Sequence, residues 1–130
     1  MIVRYLDFAE ASTEECLGYC TDVILVADCT YSEDIITHLV CVLQKFLVSA
    51  PSYSERSDVA HIGSMDFKLP FCLLAGTVWA ETTYQHLLNT LDNESTLHYK
   101  DVTDWAVRWA GPQSFRYQNR DSIRIFVITG

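Results

Sequence analysis

The chain has 130 residues, of which 49% are apolar and 20% are charged, and its formal net charge is -8. This length suits one domain, and the apolar content supplies a core, which excludes a disordered chain. An acidic surface repels phosphate backbones, and no apolar run reaches the roughly 20 residues that cross a bilayer, so we expect neither a nucleic-acid nor a membrane partner.

The cysteines favour a reduced, cytoplasmic protein. The five thiols are Cys16, Cys20, Cys29, Cys41 and Cys72, an odd number without a Cys-x-x-Cys pair. The last three lie in apolar segments, where cysteine acts as a small hydrophobic residue. Cys16 and Cys20 are one helical turn apart and could in principle bind a metal. Because no histidine pair lies near them, we expect no metal site.

The first 20 residues predict a short strand and a short helix. Residues 2–6 alternate apolar and polar side chains and are rich in strand formers. Ser12 or Thr13 can cap a helix whose first turn contains Glu14 and Glu15, where acidic residues favour the helix dipole.

An apolar strand that ends on an acid follows. The stretch Asp22-Val-Ile-Leu-Val-Ala-Asp28-Cys-Thr-Tyr31 contains five consecutive apolar residues, which is typical of a strand buried on both faces in a parallel sheet. Ligands of open α/β sheets bind outside the carboxyl ends of the strands. Asp28 and Tyr31 are therefore candidate site residues, although an acid at this position can also cap the next helix.

A helix and a long connection occupy the middle of the chain. Ser32 is a potential N-cap, and apolar residues recur at helical spacing, which predicts a helix over about residues 33–49 that packs on a sheet. Residues 51–70 are charged and Ser-rich without a sustained period, so we expect a mobile surface insertion. We expect His61 within it to be exposed and not to bind a ligand.

The second half predicts one more helix and three strands. The strands are expected at residues 71–78, 97–101 and 122–128, and an amphipathic helix at 81–91. Residues 105–119 are expected to form a loop with packed aromatic side chains. Its Trp105 and Trp109 lie four residues apart and could form a helical stripe or line a substrate groove, but packing in the core is favoured. The βαβ order implies parallel pairing, and the last two strands read as an antiparallel hairpin at the sheet edge.

This order, with Asp-x-x-Tyr after the first apolar strand, resembles the second half of a class I methyltransferase. The residues that carry the resemblance are Leu6-Asp7-Phe8, the stretch 22–31, Val42-Leu43-Gln44, and Thr77-Val78 with Thr83 and Gln85. The chain is most similar to the small protein-lysine methyltransferases that act on folded proteins. Among these it resembles the family that methylates a lysine of translation elongation factor two.

The resemblance implies an α/β fold with an incomplete Rossmann-like class I methyltransferase sheet in a single domain over residues 1–130. It implies S-adenosylmethionine as the cofactor of the complete protein, and a monomeric enzyme whose partner is a protein substrate such as elongation factor two. It places Asp7 and Phe8 at the adenine, and Ala27 with Asp28 beside the cofactor. Asp28 and Tyr31 would be catalytic, because a carboxylate and a phenol oxygen can accept hydrogen bonds from a lysine amine and orient its lone pair.

Three departures from the family pattern modify this expectation. Trp79-Ala80-Glu81 stands where the family has Arg-Asn-Pro, and the 51–70 insertion has no counterpart. The Gly-rich cofactor loop is absent, since no two of the five glycines are near each other. We therefore expect a C-terminal portion of a methyltransferase domain that is inactive alone. The alternatives are a catalytically inactive truncated form or a non-catalytic interaction module and, less favoured, another Rossmann-like nucleotide-binding domain.

Overall fold

The computed structural model describes residues 3–49, 59–111 and 122–130. Within these ranges the chain forms four helices and six strands. In chain order they are α1 (Thr13–Gly18), β1 (Val23–Ala27), α2 (Glu33–Leu47), β2 (Val59–Ile62), β3 (Met65–Lys68), β4 (Phe71–Thr77), α3 (Glu81–Asn93), β5 (His98–Asp101), α4 (Thr103–Ala110) and β6 (Ile123–Thr129).

Four of the strands form a mixed sheet in the order β1-β4-β6-β5. β1 and β4 are parallel, with Val23 opposite Phe71 and Ala27 opposite Ala75. β6 lies between β4 and β5 and is antiparallel to both. The predicted α/β class, the parallel pair and the antiparallel pairing of the last two strands are confirmed, and the sheet is consistent with a partial Rossmann-like methyltransferase fold. The last two strands form this antiparallel pair at one edge of the sheet, with β5 outermost.

Each face of the sheet has its own core. α2 and α3 cover one face, where the buried side chains include Ile36, Leu39, Leu43, Leu74 and Phe126. The opposite face is covered by the β2–β3 hairpin and α4. Its buried side chains are Phe67, Phe71, Val102, Ala106, Ile125 and Val127.

The strongest helix predictions are confirmed. Ser12 caps α1, and its hydroxyl accepts a hydrogen bond of 3.1 Å from the amide of Glu15. α2 begins at Glu33 as expected, with Ser32 at the N-cap position but without a capping bond from its side chain. Its apolar stripe is buried as the periodicity predicts.

The predicted N-terminal strand is wrong over its described residues. Residues 3–7 have no regular secondary structure, and Val3 and Tyr5 are more than 80% exposed. A strand needs a neighbour for its backbone hydrogen bonds, and within the described residues none pairs with this segment. Alternation alone therefore gave a false signal.

The expected insertion and the expected aromatic loop are both partly regular. Residues 59–68 form the β2–β3 hairpin, whose turn contains Gly63 at φ +61°. Residues 103–110 form α4, which ends at Gly111 at φ +81°. Residues 50–58 and 112–121, which hold the remaining parts of these two predictions, lie outside the described residues.

Three aromatic rings explain why these two segments fold. Phe67 stacks on Phe71 with 5.1 Å between ring centroids and meets Trp105 edge-on at 5.5 Å. Core packing of Trp105 is confirmed. The same prediction of core packing is wrong for Trp109, which stacks on Trp105 but remains 63% exposed.

β1 is not buried on both faces, contrary to prediction. Val26 is 7% exposed beneath α2, but Leu25 points to the other face and is 76% exposed. The reason is that β1 is an edge strand of this sheet, and neither the hairpin nor α4 extends over it.

None of the described helices is long and apolar enough to cross a membrane.

Candidate functional site at the carboxyl edge of the sheet

The three strands β1, β4 and β5 end at one edge of the sheet. β1 and β4 are parallel, and β5 shares their direction because both β4 and β5 are antiparallel to β6. Val78, just after β4, donates a backbone hydrogen bond of 2.7 Å to the carbonyl of Ser122, just before β6. The residues after β1 therefore lie at the edge where open α/β sheets bind ligands.

Asp28 adopts a left-handed backbone at this edge. Its φ is +53°, in the region that glycine adopts freely and that aspartate and asparagine visit more often than other residues. Its backbone amide donates to the carbonyl of Ala75 at 3.0 Å, which fixes the loop to the end of β4. Its side chain is exposed and has no hydrogen-bond partner in the described ranges. Since Ser32, not Asp28, is the N-cap of α2, the capping role does not account for this acid.

Tyr31 and Thr30 complete the loop. Tyr31 is 63% exposed, so its phenol is available to a ligand. Thr30 packs so closely on Gly76 that a Cβ built there would lie 2.5 Å from the threonine Oγ1. Glycine at the end of β4 thus lets the loop approach the strand. This pair was not predicted from the sequence, although an isolated glycine in a strand is a recognised sign of close approach.

Asp7 and Phe8 are engaged in the fold. The Asp7 Oδ1 accepts from the amide of Ala9 at 2.9 Å, and its Oδ2 accepts from the Tyr5 hydroxyl at 3.3 Å. This is a side chain that stabilises its own turn. Phe8 is half-buried against two apolar clusters, one under α2 and one around Ala11. Its ring therefore contributes to the core.

An open groove of about 590 Å³ runs beside β1, between that strand, α2 and the N-terminal segment. Phe8, Tyr19 and Ile24 line it, whereas Asp7, Ala27 and Asp28 do not. The four residues predicted to contact the cofactor are thus not gathered in one cavity. The described residues do not by themselves fit S-adenosylmethionine.

The buried cysteines serve the core. Burial raises the pKa of the Cys72 thiol to about 12, and desolvation likewise raises the pKa of Cys16. Such thiols are protonated and inert at neutral pH. In the described parts of the chain, no group of three or more histidine, cysteine or acidic side chains could hold a metal ion.

A comparison of the sequence with models of known protein families gives a match that includes the loop after β1. Residues 1–60 match the family model described as "Lysine methyltransferase". The matched stretch is just under half of the chain and contains Asp7, Phe8, Ala27, Asp28 and Tyr31. It supports a protein-lysine methyltransferase at the level of the family. A search of curated proteins found no match.

Proposed function

We propose that this chain is the C-terminal portion of an S-adenosylmethionine-dependent protein-lysine N-methyltransferase acting on a folded cytoplasmic protein such as elongation factor two. The observation that carries the proposal is Asp28. Its exposed carboxylate sits on a left-handed residue at the carboxyl end of a parallel strand, within the stretch that matches lysine methyltransferases. Strained residues of this kind cluster at functional sites.

Asp28 and Tyr31 would act on the lysine of the substrate. A lysine amine is protonated at neutral pH and must lose a proton before its nitrogen can attack a methyl group. The Asp28 carboxylate and the Tyr31 phenol oxygen accept hydrogen bonds from the amine and orient its lone pair. The cofactor, when bound, supplies the methyl group. Part of the cofactor site would belong to the complete protein, because the Asp7 carboxylate already accepts two hydrogen bonds within its own turn.

Methyl transfer in the complete protein tests the proposal. Asp28→Asn removes the charge and retains a residue type that tolerates the left-handed region. With labelled cofactor and purified elongation factor two, we expect incorporation of methyl groups to fall at least about 100-fold. Asp34→Asn, the same change on an exposed acid in the first turn of α2, is the control and should leave incorporation unchanged. Wild-type turnover by the Asp28 variant would refute the catalytic role.

The alternative, a non-catalytic interaction module, is favoured by a different observation. The outer edge of β1 has no strand partner in the described ranges, and Leu25 is 76% exposed beside it. Such an edge can pair with another chain. Leu25→Lys should then abolish binding of this chain to its partner, and unchanged binding would count against the interaction module.

A further inference from the structure

A second cavity, of about 540 Å³, opens at the same carboxyl edge on the face that carries α4. The end of β5, the first turns of α4, the start of β6 and the turn of the β2–β3 hairpin line it. Tertiary structure alone brings these four segments together, since no local motif in the sequence connects them.

Three cationic side chains line this cavity, namely Lys100, Arg108 and Arg124. The whole chain has nine lysines and arginines against a net charge of -8, so a third of its cations surround one cavity. Within the described ranges, none of the three forms an ion pair. Arg124 is also half-buried, and its guanidinium has five N–H donors. A guanidinium without an ion pair can donate to a carboxylate or another anion that enters the cavity.

The acidic residues of the lining offset this charge only in part. Asp101 and Asp104 also line the cavity, which leaves a formal excess of one positive charge. The Asp101 Oδ1 is already engaged, because it accepts from the amide of Thr103 at 2.9 Å and from its hydroxyl at 2.6 Å. Trp105 adds a buried indole N–H without an acceptor in the described residues. Arg108 Nε donates to the backbone carbonyl of Asp104 at 3.3 Å, so part of its donor capacity is already used. The lining nevertheless keeps its formal excess of one positive charge.

The cavity is close to the Asp28 loop. Adjacent strands lie about 4.8 Å apart, so a side chain on β6 is about 10 Å from β1, and one on β5 about 15 Å. Arg124 bridges the two regions, since it also lines a small niche with Thr30, Thr83 and Trp79 at the end of β4. A protein whose lysine reaches Asp28 would thus extend over the cavity.

We infer that this cavity binds a cluster of glutamate or aspartate side chains on the protein substrate, about 10–15 Å from the modified lysine. The inference rests on the proposed function for the identity of the bound protein. Binding itself requires only charge complementarity between carboxylates and the three cations.

Binding is tested on this chain without any cofactor. The probe is a fluorescein-labelled peptide with one lysine followed, four residues on, by three glutamates, and its twin carries glutamines instead. By fluorescence anisotropy at low ionic strength we expect the glutamate peptide to bind about tenfold tighter than the twin. The double variant Lys100→Glu with Arg108→Glu should lose at least about tenfold in affinity, and both positions are exposed, so the fold should persist.

Lys68→Glu is the matched control, because Lys68 is an exposed cation on β3 that does not line the cavity. It should change affinity less than about twofold. The inference would be overturned if both peptides bound equally well or if the glutamate peptide did not bind measurably. It would also be overturned if Lys68→Glu lost as much affinity per reversed charge as the double variant.

A second measurement separates this inference from the proposed function. If the peptide binds as expected but the complete protein transfers no methyl group, the acidic subsite stands and the proposed function fails. If the complete protein is active, the double variant should raise KM for the protein substrate about tenfold with little change in kcat. An unchanged KM would refute the subsite while leaving the proposed function intact.

Discussion

The left-handed backbone of Asp28 makes a quantitative prediction about stability. At φ +53°, a residue with a Cβ is less stable than glycine by about 1–2 kcal/mol. The larger conformational entropy of glycine in the unfolded state lowers the free energy of unfolding of the glycine variant by about 0.4–1 kcal/mol. The Asp28 side chain forms no hydrogen bond in the described ranges, so no lost contact enters the comparison. We therefore expect Asp28→Gly to be more stable than Asp28→Ala by about 1 kcal/mol.

Urea denaturation followed by circular dichroism measures this difference, and thermal melts should show a gap of roughly 4 °C for a domain of this size. Asp28→Asn is the matched reference, since asparagine also tolerates the left-handed region, and it should match the wild-type within about 0.5 kcal/mol. Equal stability of the glycine and alanine variants would refute the strained backbone. It would also remove the backbone conformation as an argument for a functional role of Asp28.

Three further predictions concern the loop contact, the cofactor and the core. Gly76→Ala should destabilise the chain by about 1–3 kcal/mol in urea, because its Cβ would clash with Thr30, and Thr30→Ala in the same chain should restore much of that loss. Calorimetric titration of this chain with S-adenosylmethionine should show no binding tighter than about millimolar, and micromolar binding would contradict our view that the main cofactor contacts lie outside the described residues. The raised pKa of Cys72 contributes stability that is complete below pH 9.0 and is lost as the pH rises toward about 12, because the unfolded thiol ionises first. Denaturation between pH 8 and 10 should therefore show stability falling by up to about 1.4 kcal/mol per pH unit from this group, and Cys72→Ala should reduce that slope.

Long periodic segments were predictable from the sequence, and short alternating ones were not. α2 has an apolar stripe over four turns, so its existence and its start at Glu33 followed from the pattern. The four residues of β3 alternate too briefly to distinguish a strand from a polar loop. α4 was missed as well, although Trp105 and Trp109 have the spacing of neighbours on a helix.

The candidate site shows the same limit. The position of Asp28 after a strand was evident from an apolar run that stops on an acid, but its positive φ and its amide bond to Ala75 depend on how β1 meets β4. The resemblance assigned Phe8 to the adenine, and the structure shows a half-buried ring that packs against the core and also lines the open groove beside β1. A sequence pattern does not distinguish a stacking surface from a buried ring, since both need only an aromatic residue.

The α/β class, the principal helices, and a strand that carries Asp28 and Tyr31 at its carboxyl end were predictable from the residues alone. These features depend on side chains within a few residues of one another, which is the range over which periodicity and capping act. Tertiary structure decided that β6 enters between β4 and β5, that β1 lies at an edge, and that Lys100, Arg108 and Arg124 surround one cavity. Those outcomes depend on which distant segments pair, and strand pairing is chosen by the packing of the whole sheet.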